Sequence, residues 1–158
     1  MTVIVNTSPL LTLERVNCLP VLPALFHRVT RPQSVLDEMT AGQSDYGIAN
    51  DLLNAEWIKT LPDPHEAYYR RELGAGETAA IALAVNEKAD LIILDDLAAR
   101  NVARELRLQF TGTLGVLMAA YRKELIKDLN QVVDDLQRCG FHMSDSLISY
   151  VKRQAGDG

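Results

Sequence analysis

Residues 74–100 read GAGETAAIALAVNEKADLIILDDLAAR, and the fold is decided there. Leu91-Ile92-Ile93-Leu94 is a short run of apolar residues closed by Asp95 and Asp96. Such a run reads as a strand buried on both faces, as strands of parallel sheets are. The preceding segment, Glu77 to Glu87, carries Ala79, Ala80, Ile81, Ala82, Leu83, Ala84 and Val85. That pattern is apolar almost all round, so it predicts a buried helix whose small side chains allow close approach to a sheet. Glu77 stands in its opening turn, and Asp95-Asp96 stand at the exit of the strand. In open α/β sheets the carboxyl ends of the strands carry the chemistry.

The same alternation extends in both directions. Upstream, Thr2–Val5 reads as a strand and Asn6-Thr7-Ser8-Pro9 as the start of a helix, with Thr7 or Ser8 capping and Pro9 at the first helical position. Asn17–Phe26 reads as a short helical piece, and His27–Arg31 as a brief strand. Arg31–Ser34 opens a helix over Val35–Met39 that Gly42–Ser44 ends. Asp45–Ala55 reads as helix, Trp57–Leu61 as strand, and Glu66–Leu73, with Arg70 and Arg71, as helix or turn. Downstream, a helix over Leu97–Leu106 leads to a strand over Leu108–Phe110. A helix over Leu114–Tyr121, capped by Thr113, comes next. Helices over Leu125–Arg138, stopped by Gly140, and over Ser144–Lys152 complete the chain. Strands alternating with helices predict a mostly parallel five-stranded sheet with right-handed crossovers. One domain over residues 1–154 is expected, with 155–158 as a loose tail.

Composition narrows the function. At 158 residues and 47% hydrophobic, the chain is sized for one globular domain. A net charge of −5 argues against broad, nonspecific affinity for nucleic acid while leaving room for a local basic strip. Cys18 and Cys139 have no CxxC spacing and read as packing thiols in a reducing cytosol. His27, His65 and His142 lack paired ligand spacing, which disfavours zinc. The N-terminal residues lack a signal-peptide pattern, and no apolar run reaches membrane-spanning length. A cytoplasmic protein with no membrane association is expected.

Each acid has an ordinary reading beside a chemical one. Glu77 shares a helix face with Ala80, Ile81 and Ala84, so its carboxylate needs a partner, or it is a first-turn Glu facing the helix macrodipole. Asp96 is a metal ligand or the cap of the next helix, and strand alternation lets one member of the Asp95-Asp96 pair enter a shared site. Glu38 is a ligand or a solvated surface residue. Asn6 follows the first strand as Asp96 follows the fourth, and adjacent strands would bring both to one crevice. Carboxylates from separate elements suit a hard cation such as Mg2+ or Mn2+.

With these residues in view, the chain resembles the PIN-domain nucleases, and within them the toxin-like branch that opens on Asn-Thr-Ser-Pro. The pieces that carry the resemblance are VIVNTSPL, RPQSVLDEM around Glu38, LGAGETAAIALA around Glu77, LIILDDLAAR around Asp96, and TGTLGVLMAA from Thr111. The resemblance implies a three-layer α/β/α sandwich and a divalent-metal-dependent ribonuclease using Mg2+ or Mn2+. It implies Glu38, Glu77 and Asp96 as catalytic acids, with Asn6, Glu77, Asp96 and Asp95 around the metal. It also implies RNA as substrate, a cognate antitoxin that inserts a segment near the acids, and a homodimer. Asn6 stands where most of the superfamily has Asp, which removes one negative charge and should weaken metal binding.

Arg100, Arg104 and Arg107 follow Asp96 at spacings of four and three. They therefore share one face that could hold RNA phosphates, or they form a solvated face paired with Glu105 and nearby acids. Two rival functions remain. In one, the chain is a noncatalytic RNA- or protein-binding module with a degenerate site. In the other it is a phosphoacceptor receiver domain, which is disfavoured because Asn6-Thr7 stands where an acid pair would be needed.

Overall fold

The structure is a computed structural model, and it describes residues 1–41, 50–65 and 73–156. The expected stop at Gly42–Ser44, the first half of the Asp45–Ala55 helix, Arg70 and Arg71 lie outside the described residues.

Five strands form one sheet: β1 (Val3–Val5), β2 (Val29–Pro32), β3 (Ile58–Leu61), β4 (Leu91–Ile93) and β5 (Phe110–Thr111). Their order is β3-β2-β1-β4-β5, and every pairing is parallel. Nine helices appear among the described residues: α1 (Thr7–Arg15), α2 (Val21–Phe26), α3 (Gln33–Ala41), α4 (Asn50–Asn54), α5 (Ala75–Asn86), α6 (Leu97–Glu105), α7 (Thr113–Arg122), α8 (Leu129–Arg138) and α9 (Asp145–Gly156).

Strand alternation divides the core in two. Val3, Val5 and Ile93 pack with α1, α2, α7 and α8. Ile4, Ile92 and Leu94 pack with Ala80, Ile81, Leu83 and Ala84 of α5 and with Ala99 and Val102 of α6. The Ala-rich face of α5 is what lets that helix lie close to the strands. Each Ile or Leu so buried contributes roughly 1.5–3 kcal/mol relative to an exposed one.

Some boundaries depart from the sequence reading for local physical reasons. β5 starts at Phe110, because Arg107 takes a left-handed turn (φ 60°) and Leu108 N–H donates to Ala103 O, which ends α6 first. That turn also takes Arg107 off the helix face it was expected to share with Arg100 and Arg104. α7 is capped by Gly112, and Thr113 is its first, fully buried residue. Pro9 is the third residue of α1, whose cap is Asn6. At the C-terminus α9 runs through Ala155 and Gly156, and Tyr121 Oη donates to Ala155 O at 3.3 Å. Those two residues therefore belong to the fold and not to a tail.

Arg31 is only 1% exposed. Its Nη1 donates to Leu52 O at 2.6 Å, its Nη2 to Leu53 O at 3.0 Å, and its Nε to Thr60 Oγ1 at 3.1 Å. Burial lowers its pKa from the usual arginine value. The guanidinium ties β2 to α4 and β3. Arg31→Ala should lower unfolding free energy by about 3 kcal/mol, since it strands the buried Leu52 carbonyl, frees the half-buried Leu53 carbonyl and opens a cavity. Urea melts check this, and a loss under about 1 kcal/mol would contradict the tie.

Candidate active site

β1 and β4 are neighbours in register, Val3 with Leu91, Ile4 with Ile92 and Val5 with Ile93. The chain leaves β1 toward one side of the sheet and continues from β4 on the other, so a crevice opens beyond their carboxyl ends. Asn6 stands there after β1, its N–H on Ile93 O at 3.0 Å. Asp95 and Asp96 stand there after β4. A cleft of about 530 Å3 is lined by Asn6, Glu77, Asp95 and Asp96, together with Ser8, Thr12 and Arg15. Four residues expected at one site thus meet in one cleft, and both aspartates enter it. Glu38 lines an adjoining cleft with Asn6, Thr7 and Glu77.

Parallel strands deliver their helices' N-termini to the same rim, and the acids are held by those N-termini. Asp96 caps α6, accepting from Ala99 N–H at 2.9 Å. Asp95 accepts from Thr113 N–H at 2.8 Å and Thr113 Oγ1 at 2.6 Å, at the start of α7. Glu77 accepts from Gly74 N–H at 2.7 Å, at the start of its own helix. Glu38 accepts from Gly76 N–H at 3.0 Å and from Thr7 Oγ1 at 2.7 Å, joining the starts of α5 and α1. A Cβ at position 76 would stand 2.7 Å from Glu38 Oε1, so a larger residue here would displace the Glu38 carboxylate. The partial positive charge of helix N-termini offsets the repulsion among these carboxylates. Asp95 and Glu38 thus give both carboxylate oxygens to helix starts, while Glu77 and Asp96 each give one to a backbone N–H.

Asn6 differs from the acids. It is 4% exposed, and its Oδ1 has no hydrogen-bond partner. A buried acceptor without a partner costs about 1–3 kcal/mol. Asn6 shares its cleft with the carboxylates of Glu77, Asp95 and Asp96, so its amide oxygen suits an oxygen-seeking cation. Among the described residues, no three His, Cys, Asp or Glu side chains already close around a metal-sized point.

The basic strip is only partly as expected. Arg100 Nε donates to Leu94 O at 3.0 Å, and its guanidinium lies 5.6 Å from the Phe110 ring centroid. Arg104 lies 5.3 Å from the same centroid and donates to Asn101 Oδ1 at 2.9 Å. Arg100 and Arg104 therefore stack on one ring, and Arg107 stands apart on its turn.

Other lining residues escaped the sequence reading. Ser8, Thr12 and Arg15 fall at i, i+4 and i+7 on α1, a polar stripe that the periodicity could have revealed. Cys139, Gly140, Phe141 and His142 also line the cleft, although they lie more than 40 residues beyond Asp96. No local pattern announces that return. Cys139 is exposed, so it is not the packing thiol expected, whereas Cys18 is buried. Burial, and secondarily Asp135, raises the Cys18 pKa. A thiol reagent should therefore label one cysteine per native chain and two after unfolding, and Cys139→Ser should abolish native labelling. Fast native labelling of the serine variant would contradict the burial of Cys18.

Among the described residues no helix is long and apolar enough to cross a membrane. A search among curated proteins finds no match. Among solved structures, the chain is similar to a PilT N-terminus domain protein, SSO1118, from the hyperthermophilic archaeon Sulfolobus solfataricus P2. The TM-score is 0.55 at 17% identity, over 76% of this chain and 93% of that one. At that identity the likeness speaks for the fold alone. The family model described as DUF3368, a PIN domain, matches residues 2–157. Spanned almost end to end by that model, the chain belongs to the PIN-domain family.

Proposed function

We propose that this chain is a divalent-cation-dependent ribonuclease of the toxin type, hydrolysing phosphodiesters of single-stranded RNA. The observation that carries the reading is the buried, unpartnered Asn6 Oδ1 at a cleft lined by Glu77, Asp95 and Asp96. Asn6, Glu77 and Asp96 would hold Mg2+ or Mn2+, with Asp95 and Glu38 beside them. A cation bound there supplies charge neutralisation at the phosphodiester and acidifies a water molecule. The protein's own part is to fix the oxygens: α6 and α5 orient Asp96 and Glu77 through their first turns, and Glu38 locks the start of α5 against α1. The amide at position 6 and the competing helix caps both lower cation affinity, so weak activity follows. Cytoplasmic location, a homodimer and an inhibiting antitoxin belong to the same proposal.

Incubating the protein with single-stranded RNA and Mn2+ tests the reading. Cleavage that EDTA stops is the expected result, and no cleavage at millimolar Mn2+ would contradict it. One observation favours a second reading, a noncatalytic RNA- or protein-binding module: every acid already has a hydrogen-bond donor. Absent divalent binding with intact RNA binding would support that module.

A further inference from the structure

The acidic cleft does not end at Asp95. On the other side of that carboxylate lies a second cleft of about 410 Å3, lined by Arg100, Phe110, Gly115, Phe141, His142 and Leu147, among others. Asp95, Phe141 and His142 line both clefts. The two therefore form one track with an aromatic pair at the divide.

The fold explains why that pair is held there. Leu129, Val133 and Leu136 bury one face of α8, and the helix ends at Cys139. Gly140 then turns the chain at φ 83°, which glycine adopts without strain. Phe141 N–H closes the turn on Leu136 O at 3.0 Å, and Met143 is buried just beyond. Phe141 and His142 are thus pinned from both sides. Across the cleft, Arg100 is fixed by Leu94 O and by the Phe110 ring, and its Nη2 and Asp95 Oδ1 both lie against Gly112.

Aromatic and aliphatic side chains around one oriented guanidinium match the chemistry of a nucleotide, with an apolar base face and an anionic phosphate. The volume lies within the range of small-ligand sites, about 300–1,000 Å3. We infer that the second cleft seats one nucleotide of single-stranded RNA beside the scissile bond. The base rests against Phe141 and His142, and the phosphate meets Arg100. This rests on the ribonuclease reading for what lies next door, but not for binding itself. A base must be unstacked to enter, so a duplex is excluded, and base preference should be slight because every base offers a ring face.

The test is anisotropy of a fluorescein-labelled single-stranded RNA oligonucleotide, in EDTA so that nothing is cut. The variants are Phe141→Ala, Phe141→Trp and the exposed His142→Ala. Phe141→Ala and His142→Ala should each weaken binding about tenfold with unchanged salt dependence. Phe141→Trp should bind as the wild type does. Thermal melting separates lost binding from lost folding, and His142→Ala carries the test if Phe141→Ala melts early. Equal affinity of wild type, Phe141→Ala and His142→Ala overturns the inference and leaves the cleft to a protein segment. Cleavage by a protein with that outcome keeps the nuclease and removes only the subsite. Binding that depends on Phe141 without any cleavage in Mn2+ does the reverse.

Discussion

Asp96→Asn and Glu77→Gln should each reduce Mn2+-supported RNA cleavage by about a hundredfold or more while leaving the fold intact. The two substitutions separate charge from structure. Asp96 caps α6 through Ala99 N–H, and Asn caps a helix as well as Asp does. Glu77 receives Gly74 N–H, and the amide oxygen of Gln can take the same bond. Each variant therefore keeps its local hydrogen bond and loses one negative charge at the cleft. Melting temperatures should stay within a few degrees of wild type, since a cap-conserving change is worth well under about 1 kcal/mol. Undiminished cleavage by either variant would place the activity elsewhere. Diminished cleavage with an early melt would show that the acids matter only as caps.

Asn6→Asp should have two opposed effects. The Asn6 side chain is almost wholly buried and Oδ1 has no donor, so a carboxylate there is desolvated and unpaired in the cation-free protein. Stability without metal should fall by about 2 kcal/mol or more. The sign with pH follows from burial, which raises the folded-state pKa of such a carboxylate above its unfolded value. The penalty is therefore full at neutral pH and fades as the pH falls through the folded-state pKa. Added Mn2+ should reverse the loss, because one more carboxylate strengthens the site, by about tenfold in affinity. At a hundred times its dissociation constant, the ion would return about 2.7 kcal/mol. Calorimetry and metal-dependent melts read both effects. A variant whose Mn2+ affinity is unchanged or weaker would put Asn6 outside the cation site.

The central topology was legible because it depends on strong, local signals. A four-residue apolar run after an Ala-rich segment can hardly be anything but a buried strand behind a buried helix, and β4 and α5 follow suit. The adjacency of β1 and β4 then brings Asn6 and Asp96 to one crevice, as their matched positions after two strands suggested. Element ends were harder to read. Thr113 has the chemistry of a cap, yet the more distant Asp95 claims both its N–H and its hydroxyl, and Gly112 caps instead. Arg107 has the right spacing for a basic face, yet a left-handed turn removes it. Phe141 and His142 were invisible as site residues, because only the packing of α8 and the burial of Met143 return them to the rim. Long-range closure of this kind leaves no periodic trace in the chain.

Crystals grown with Mn2+ and measured at an energy where manganese scatters anomalously would be decisive. The expected result is a peak among Asn6 Oδ1, Glu77 and Asp96, with those two carboxylates turned away from Gly74 and Ala99. A cleft without a peak at millimolar Mn2+, its acids still seated on their helix caps, would contradict the assignment of a cation to this rim.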